Sequence, residues 1–393
     1  MALSGTVSRR TTRTLLRHVV FFLLAFAPGV CLPSPPTPTP TPTITPPLRD
    51  LTGQPVDPAA LDAWLHDAMA THRISGLSIT IVHHDQVVYR RAMGTADADS
   101  GRAVTEDTLF EAASLSKPLF AYFAMTFVEE GRLNLDRPLS DYLIHPDLPN
   151  DAAFRRVTAR QILDHTSGLP NWRSGPTPRS DWRQSMAEDA LVPLAAPGER
   201  FIYSGEGYQY LALVLQHLSD TDAAGLEHLF QHRVAGPLGL QHTRFVSDAR
   251  TTVPKALPHR DGKRIEGDGA IDGQFGAAYG VTTEAGDYGR WIATLLSRCG
   301  LKPDICETYF EPQHVPIPDD YPERAFGLVD WALGFSVYRL PMGRLYVHGG
   351  TNPGYTSVVA LHRDSGWGLV VFSNADESTA FLMALMAHLQ RLD

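Results

Sequence analysis

Strand-like segments crowd both ends of this chain and thin out between them, so a sheet built from them must be assembled from residues far apart in sequence. Asp57-Pro58 is a helix start, and Leu61, Trp64, Leu65 and Ala68 repeat at helical spacing up to Arg73. Leu77–His83 and Gln86–Met93 then read as two strands, with His84-Asp85 as the turn of a hairpin. The far end offers strands at Leu333–Arg339, Arg344–His348, Ser357–His362 and Gly368–Ser373, followed by a helix from about Asp376. About half of the chain lies between, dominated by helical periodicity, as in Leu211–Leu218, and by Pro- and Gly-rich loops. The economical architecture is of the α/β (α+β) class: an antiparallel sheet from both chain ends, flanked by helices and carrying a mostly helical insertion over about 114–290. A cleft is expected between sheet and insertion.

Ahead of this domain, Arg9, Arg10, Arg13 and Arg17 precede a short apolar run, Val19–Ala27, that ends in small residues. That order describes a secretory signal over residues 1–31, and the run falls short of the roughly 20 apolar residues a spanning helix needs. Pro35–Pro47 alternates Pro and Thr, so it forms no hydrogen-bonded ladder, and residues 32–50 are expected to be an extended spacer before a folded domain at 51–393. The expected location is exported, periplasmic or extracellular. Ser8-Arg9-Arg10 and Cys31 leave open twin-arginine export and lipidation, the latter giving a membrane tether. Cys299 and Cys306 flank a short loop, and the spacing fits a local disulfide and two free thiols equally.

With 34 Lys plus Arg against 43 Asp plus Glu and no basic block, nothing points to nucleic acid as a partner. Only Lys117, Lys255, Lys263 and Lys302 are lysines, so a lysine in an apolar stretch invites a chemical reason, because a buried ammonium can lose its proton and a guanidinium cannot. Lys117 is that case. Ser114-Leu115-Ser116-Lys117 opens a nearly apolar helix that runs to Glu130 and is ended by Gly131. A serine in the opening turn feels the positive end of the helix dipole, and a lysine three positions on shares its face. His228 and His232, four apart on a helix, have metal-ligand spacing but no evident third ligand. No metal or cofactor is expected.

The segment Thr108–Pro118, with its Ser-x-x-Lys core, resembles the nucleophile motif of class C β-lactamases and the esterases and penicillin-binding proteins related to them. Leu163–Pro170, Tyr203-Ser204-Gly205 and His348-Gly349-Gly350 follow in that family's order, and the resemblance covers roughly Asp57 to the C-terminus. It implies a β-lactamase/transpeptidase-like fold in which Ser114 is acylated, Lys117 holds or takes its proton and Tyr203 acts as general base, either as a phenolate stabilised by a cation such as Lys117 or by relaying a proton. It also implies an oxyanion hole from the amides of Ser114 and Thr351, the latter on an edge strand. His348, Gly349, Gly350 and Gly205 would then line the substrate side, while His165 and Ser167 shape a turn.

Two departures bear on substrate. Gly205 stands where lactam-active relatives carry Asn, and His348 stands where they carry Lys, leaving no dependable cation for a substrate carboxylate. The expected function is therefore serine hydrolysis of a small acyl substrate through an acyl-enzyme: an ester or D-amino-acid peptide first, a β-lactam second. The alternative is a penicillin-binding or sensing module that is acylated without turnover.

Overall fold

The computed structural model describes residues 47–148, 151–173, 189–246, 253–266, 273–376 and 378–391. The signal segment, Cys31 and the Pro/Thr spacer up to residue 46 lie outside these residues. The helices that matter below are α1 (Pro58–Thr71), α2 (Ser116–Glu129), α3 (Ala159–Leu163), α4 (Gly205–Leu218), α5 (Ala223–Phe230), α6 (Ala285–Ser297), α7 (Pro303–Phe310) and α8 (Thr379–Gln390). Asp57 caps α1 by accepting the Ala59 amide proton, with Pro58 at the first helical position where no donor is needed.

Eight strands form one sheet: β1 (Gly76–His83), β2 (Gln86–Asp97), β3 (Arg102–Ala103), β4 (Leu328–Trp331), β5 (Ser336–Leu340), β6 (Gly343–Asn352), β7 (Tyr355–His362) and β8 (Trp367–Ser373). Their order is β3-β2-β1-β8-β7-β6-β5-β4, antiparallel throughout. The seam joining the two chain ends is the β1–β8 ladder, in register from Leu77↔Ser373 to His83↔Trp367. At the far edge the structure departs from the pattern: the expected strand at Leu333–Arg339 begins at Ser336, because Gly334 adopts φ 95° in the turn that links it to a separate strand, β4.

The sheet is covered on both faces. Leu61 and Leu65 of α1 and Leu385 of α8 pack on one face against Ile79, Ile81 and Val371. The other face, with Val359, Val370 and Phe372, meets α6 and the helical insertion. Leu48 and Asp50, expected to belong to the spacer, are buried parts of this fold, and Leu51 donates its amide to the Leu389 carbonyl at 3.0 Å.

Within the insertion, α2 is buried nearly all round, as 11 of its 14 residues are inaccessible. Phe120 and Phe123 pack on Phe230, Phe245 and Phe275, each contributing about 2–3 kcal/mol of burial. A two-residue ladder pairs Phe110-Glu111 with Thr282-Thr283 and so pins the two ends of the insertion together. Cys299 and Cys306 are joined in a disulfide, settling the alternative left open by their spacing. The loop they close braces α2: Tyr122 donates to the Cys299 carbonyl at 3.0 Å, and Tyr309 of α7 donates to the Pro118 carbonyl at 2.8 Å.

Candidate active site

Ser114 lies on a strained turn rather than inside an α-helix. The chain leaves the Phe110-Glu111 strand, turns through Ala113 at φ 50° and makes a 3-10 turn, Ala113–Leu115, before α2 begins at Ser116. A left-handed alanine costs on the order of 1–2 kcal/mol. Its surroundings hold it there: Ala112 donates to the Val281 carbonyl at 2.8 Å, Ser357 Oγ donates to the Ala112 carbonyl at 2.7 Å, and Ser116 Oγ donates to the Ala113 carbonyl at 2.6 Å. The result is a half-exposed Ser114 hydroxyl at the mouth of a buried helix.

Lys117, one turn deeper, is fully buried, with Nζ 3.2 Å from Ser114 Oγ and donating to the Ala278 carbonyl at 2.9 Å. Among the described residues no carboxylate lies within ion-pairing distance of it, so desolvation acts unopposed and pulls its pKa from 10.5 to about 7. The aromatic faces of Tyr203 and Tyr208, 4.6 and 5.7 Å from Nζ, are its remaining company.

The Tyr203 phenol reaches the Ser114 side chain, which completes the convergence expected from the sequence. Of the two ways of acting expected from the sequence, the phenolate is the disfavoured one. Burial pushes the phenol well above its ordinary value, and Lys117 sits over the ring face instead of carrying a charge beside the oxygen. Burial thus makes the amine the readier proton acceptor and holds the proton of the phenol more tightly.

His165, from the expected structural turn, is buried with φ 64° and stacks on Tyr203 at 4.3 Å between ring centroids. Its Nδ1 accepts the Ser204 amide at 3.0 Å, so it fixes where the tyrosine motif enters α4, while Ser167 Oγ accepts the Leu169 amide at 3.3 Å. Both residues are structural.

The third motif lies on β6, which is not an edge strand, since β5 and β4 lie beyond it. Pairing with β5 stops at Val347↔Ser336, however, so Gly349–Asn352 is paired on one side only, and this overhang faces the nucleophile. A Cβ on Gly350 would lie 2.6 Å from the Ala112 carbonyl oxygen and 3.0 Å from the Ser114 nitrogen, so only glycine lets the strand come this close. At Gly349 the same position is open space. Counted from the Asn352↔Tyr355 pair that closes the Pro353-Gly354 turn, the alternation of the ladder turns the Thr351 amide away from β7, toward the free edge.

His348 is buried, its Nδ1 2.7 Å from the Gly349 carbonyl, and burial lowers its pKa to about 3. It is a neutral group, not a cation. Gly205 is no substrate contact either: it is buried at the start of α4, and a Cβ there would lie 2.7 Å from both the Asn171 carbonyl oxygen and the Trp172 ring. Trp172 thus fills the space into which a longer side chain at 205 would project, and the Arg173–Glu206 pair, at 3.2 Å, fixes its loop.

Four contributors were invisible in the sequence. Ala278 and Ser357 act through bonds formed only in the folded chain. Glu111 binds Lys255 and Asn352, both at 2.7 Å, and so ties the end of β6 to the strand before the nucleophile. Trp331 packs edge-on to His165, 5.1 Å between ring centroids. His228 and His232 are exposed and join no group of potential ligands among the described residues. His242, Glu284 and Asp287 do bring ligand atoms within 4.8 Å of one another. Arg90 and Arg290 already pair with those two carboxylates, at 3.0 and 2.7 Å, which makes the cluster an ion-pair network.

Comparison with known proteins agrees with this geometry. The Beta-lactamase family model matches residues 61–391. Esterase EstB of Burkholderia gladioli is 34% identical over 224 residues, which is 52% of this chain and 55% of the esterase. Penicillin-binding protein 4* of Bacillus subtilis (strain 168) is 24% identical over 346 residues, 80% of this chain and 71% of its own. Among solved structures, that of SurE superposes with a TM-score of 0.68 at 26% identity, covering 85% of this chain and 75% of SurE. The chain therefore spans little more than half the length of one curated relative.

Proposed function

The chain belongs to the β-lactamase family, a family with a serine-hydrolase type of activity, and from that premise we propose that it hydrolyses small neutral carboxylic esters through an acyl-enzyme on Ser114. The observation that carries the proposal is the buried Lys117 amine, without a counter-ion among the described residues, 3.2 Å from the serine hydroxyl. As the Ser114 oxygen attacks the acyl carbon, neutral Lys117 takes the hydroxyl proton. The amides of Ser114 and Thr351 receive the developing oxyanion, two donors of a kind worth about 3 kcal/mol each. Collapse of the tetrahedral intermediate breaks the ester C–O bond, and the proton returns by way of the Tyr203 phenol to the leaving alkoxide. A water molecule then attacks the acyl-enzyme with Lys117 again as base, releasing the acid and restoring the Ser114 hydroxyl.

Two features favour neutral esters over carboxylate-bearing peptides and lactams. His348 offers no positive charge to a substrate carboxylate, and Trp172 occupies the space from which an amide side chain would hold a substrate amide. The 34% identity with an esterase supports the same reading. We place the reaction outside the cytosol, a reading supported by the disulfide, since such bonds persist in oxidising compartments. The test is hydrolysis of p-nitrophenyl butyrate by the purified protein and by Ser114→Ala. Turnover by the parent and none by the variant is expected. A parent that becomes stably acylated by penicillin and hydrolyses no ester is instead a sensing module.

A further inference from the structure

Away from the Ser114 cleft, a groove of about 880 Å³ opens between the end of α6, the disulfide loop and the β5–β6 hairpin. Four arginines from four separate segments converge on it: Arg298 after α6, Arg339 on β5, Arg344 on β6 and Arg363 after β7. The chain as a whole carries a net charge of −9, so such convergence runs against its general balance. The acids on the groove wall are Glu307 and Asp364, of which Glu307 pairs with Arg363 at 3.0 Å.

The pairing within the sheet is the decisive feature. Arg339 and Arg344 are direct cross-strand partners, so their side chains share one face of the hairpin. Like charges placed opposite each other destabilise a ladder. Among the described residues no carboxylate lies within 4.0 Å of Arg298, Arg339 or Arg344, so none of those residues pairs their charge. Arg363, by contrast, is held in place: its guanidinium lies 4.3 Å over the Phe310 ring while it binds Glu307. Tyr346, two residues along β6 from Arg344 and on its face, brings a hydroxyl within reach of both Arg344 and Arg363.

We infer that this groove is a binding site for a phosphate-bearing ligand with at least two negative charges, either a free phosphate compound or a lipid headgroup. Planar guanidinium forks match phosphate oxygens two at a time, and several of them around one groove require more than one anionic group to satisfy. The Tyr346 hydroxyl adds a neutral donor. Leu301 and Leu340 on the walls, both partly exposed, accommodate an apolar portion attached to the phosphate.

The experiment is calorimetric titration of the full chain with inorganic pyrophosphate at fixed ionic strength, alongside co-sedimentation with vesicles containing cardiolipin, whose headgroup carries two phosphates, and phosphatidylcholine controls. Each is repeated with the Arg339→Gln/Arg344→Gln double variant, whose melting temperature and ester hydrolysis report folding. Pyrophosphate binding weakened at least tenfold in the variant supports a site for free phosphates. Association with the anionic vesicles alone, lost in the variant, supports a headgroup site. The unliganded variant should melt no lower than the parent, because a repulsive pair has been removed. Absence of both interactions, equal binding by the variant, or a variant that melts several degrees lower overturns the inference.

Discussion

The Lys117 amine stands 3.2 Å from the Ser114 hydroxyl inside a helix whose surroundings, among the described residues, supply it with a carbonyl and two aromatic faces but no carboxylate. An unpaired buried ammonium is costly, and burial lowers the pKa of this amine to about 7, the direction a base for serine requires. Catalytic competence and local destabilisation therefore have one origin.

Activity should follow the state of that amine. With its pKa lowered to about 7, kcat/KM for p-nitrophenyl butyrate should fall tenfold per pH unit below about 7 and level off above it. Lys117→Arg, which cannot lose its proton, should lower kcat by at least about a hundredfold at all pH values. A flat profile in the parent would contradict the assignment of the base.

Stability should carry the same signature. Between about 7 and 10.5 the unfolded chain holds a proton on this lysine that the folded chain has lost, so the contribution to stability rises with pH through that window and is flat below it. Lys117→Met should remove this rise from urea-denaturation midpoints measured between pH 7 and 10. Parallel curves for parent and variant would show that the amine keeps its charge in the fold.

Trp172 and Gly205 should behave as a pair. Gly205→Asn alone places its Cβ 2.7 Å from the Trp172 ring and should cost about 1–3 kcal/mol in thermal denaturation. Trp172→Ala/Gly205→Asn should recover the part of that loss owed to the ring, the 2.7 Å approach to the Asn171 carbonyl remaining, and shift the ratio of ester to cephalosporin hydrolysis toward the lactam at least tenfold. An unchanged ratio with restored stability would remove Trp172 from substrate choice.

Much of this was legible in the sequence, and what was not shares a cause. The Asp57 cap, the β1–β2 hairpin and the closing strands are written in local periodicity and capping chemistry, which a single segment can display. The spacing of Ser114 and Lys117 likewise placed both groups on one turn. The strain at Ala113, the overhang of β6 beyond β5 and the filling of the Gly205 space by Trp172 depend on residues brought together from distant segments. The choice between phenolate and relay at Tyr203 was hidden for the same reason: burial raises the proton affinity of the phenol, which no spacing of residues reveals.

Glu111 links the strand before Ser114 to the end of β6 by accepting a hydrogen bond from Asn352 at 2.7 Å. Asn352→Ala leaves a buried carboxylate oxygen short of a donor and releases the end of β6. A loss of about 1–3 kcal/mol in stability and a fall in kcat larger than any change in KM are expected. A change confined to KM would place Asn352 in substrate binding instead.

The most direct measurement is rapid-quench intact-mass and peptide analysis during hydrolysis of p-nitrophenyl butyrate. A butyryl adduct on the peptide containing Ser114 should form in a burst in the parent, be absent in Ser114→Ala and accumulate at least a hundredfold more slowly in Lys117→Met. An adduct on another residue, or an undiminished burst without the lysine, would contradict the account at its centre.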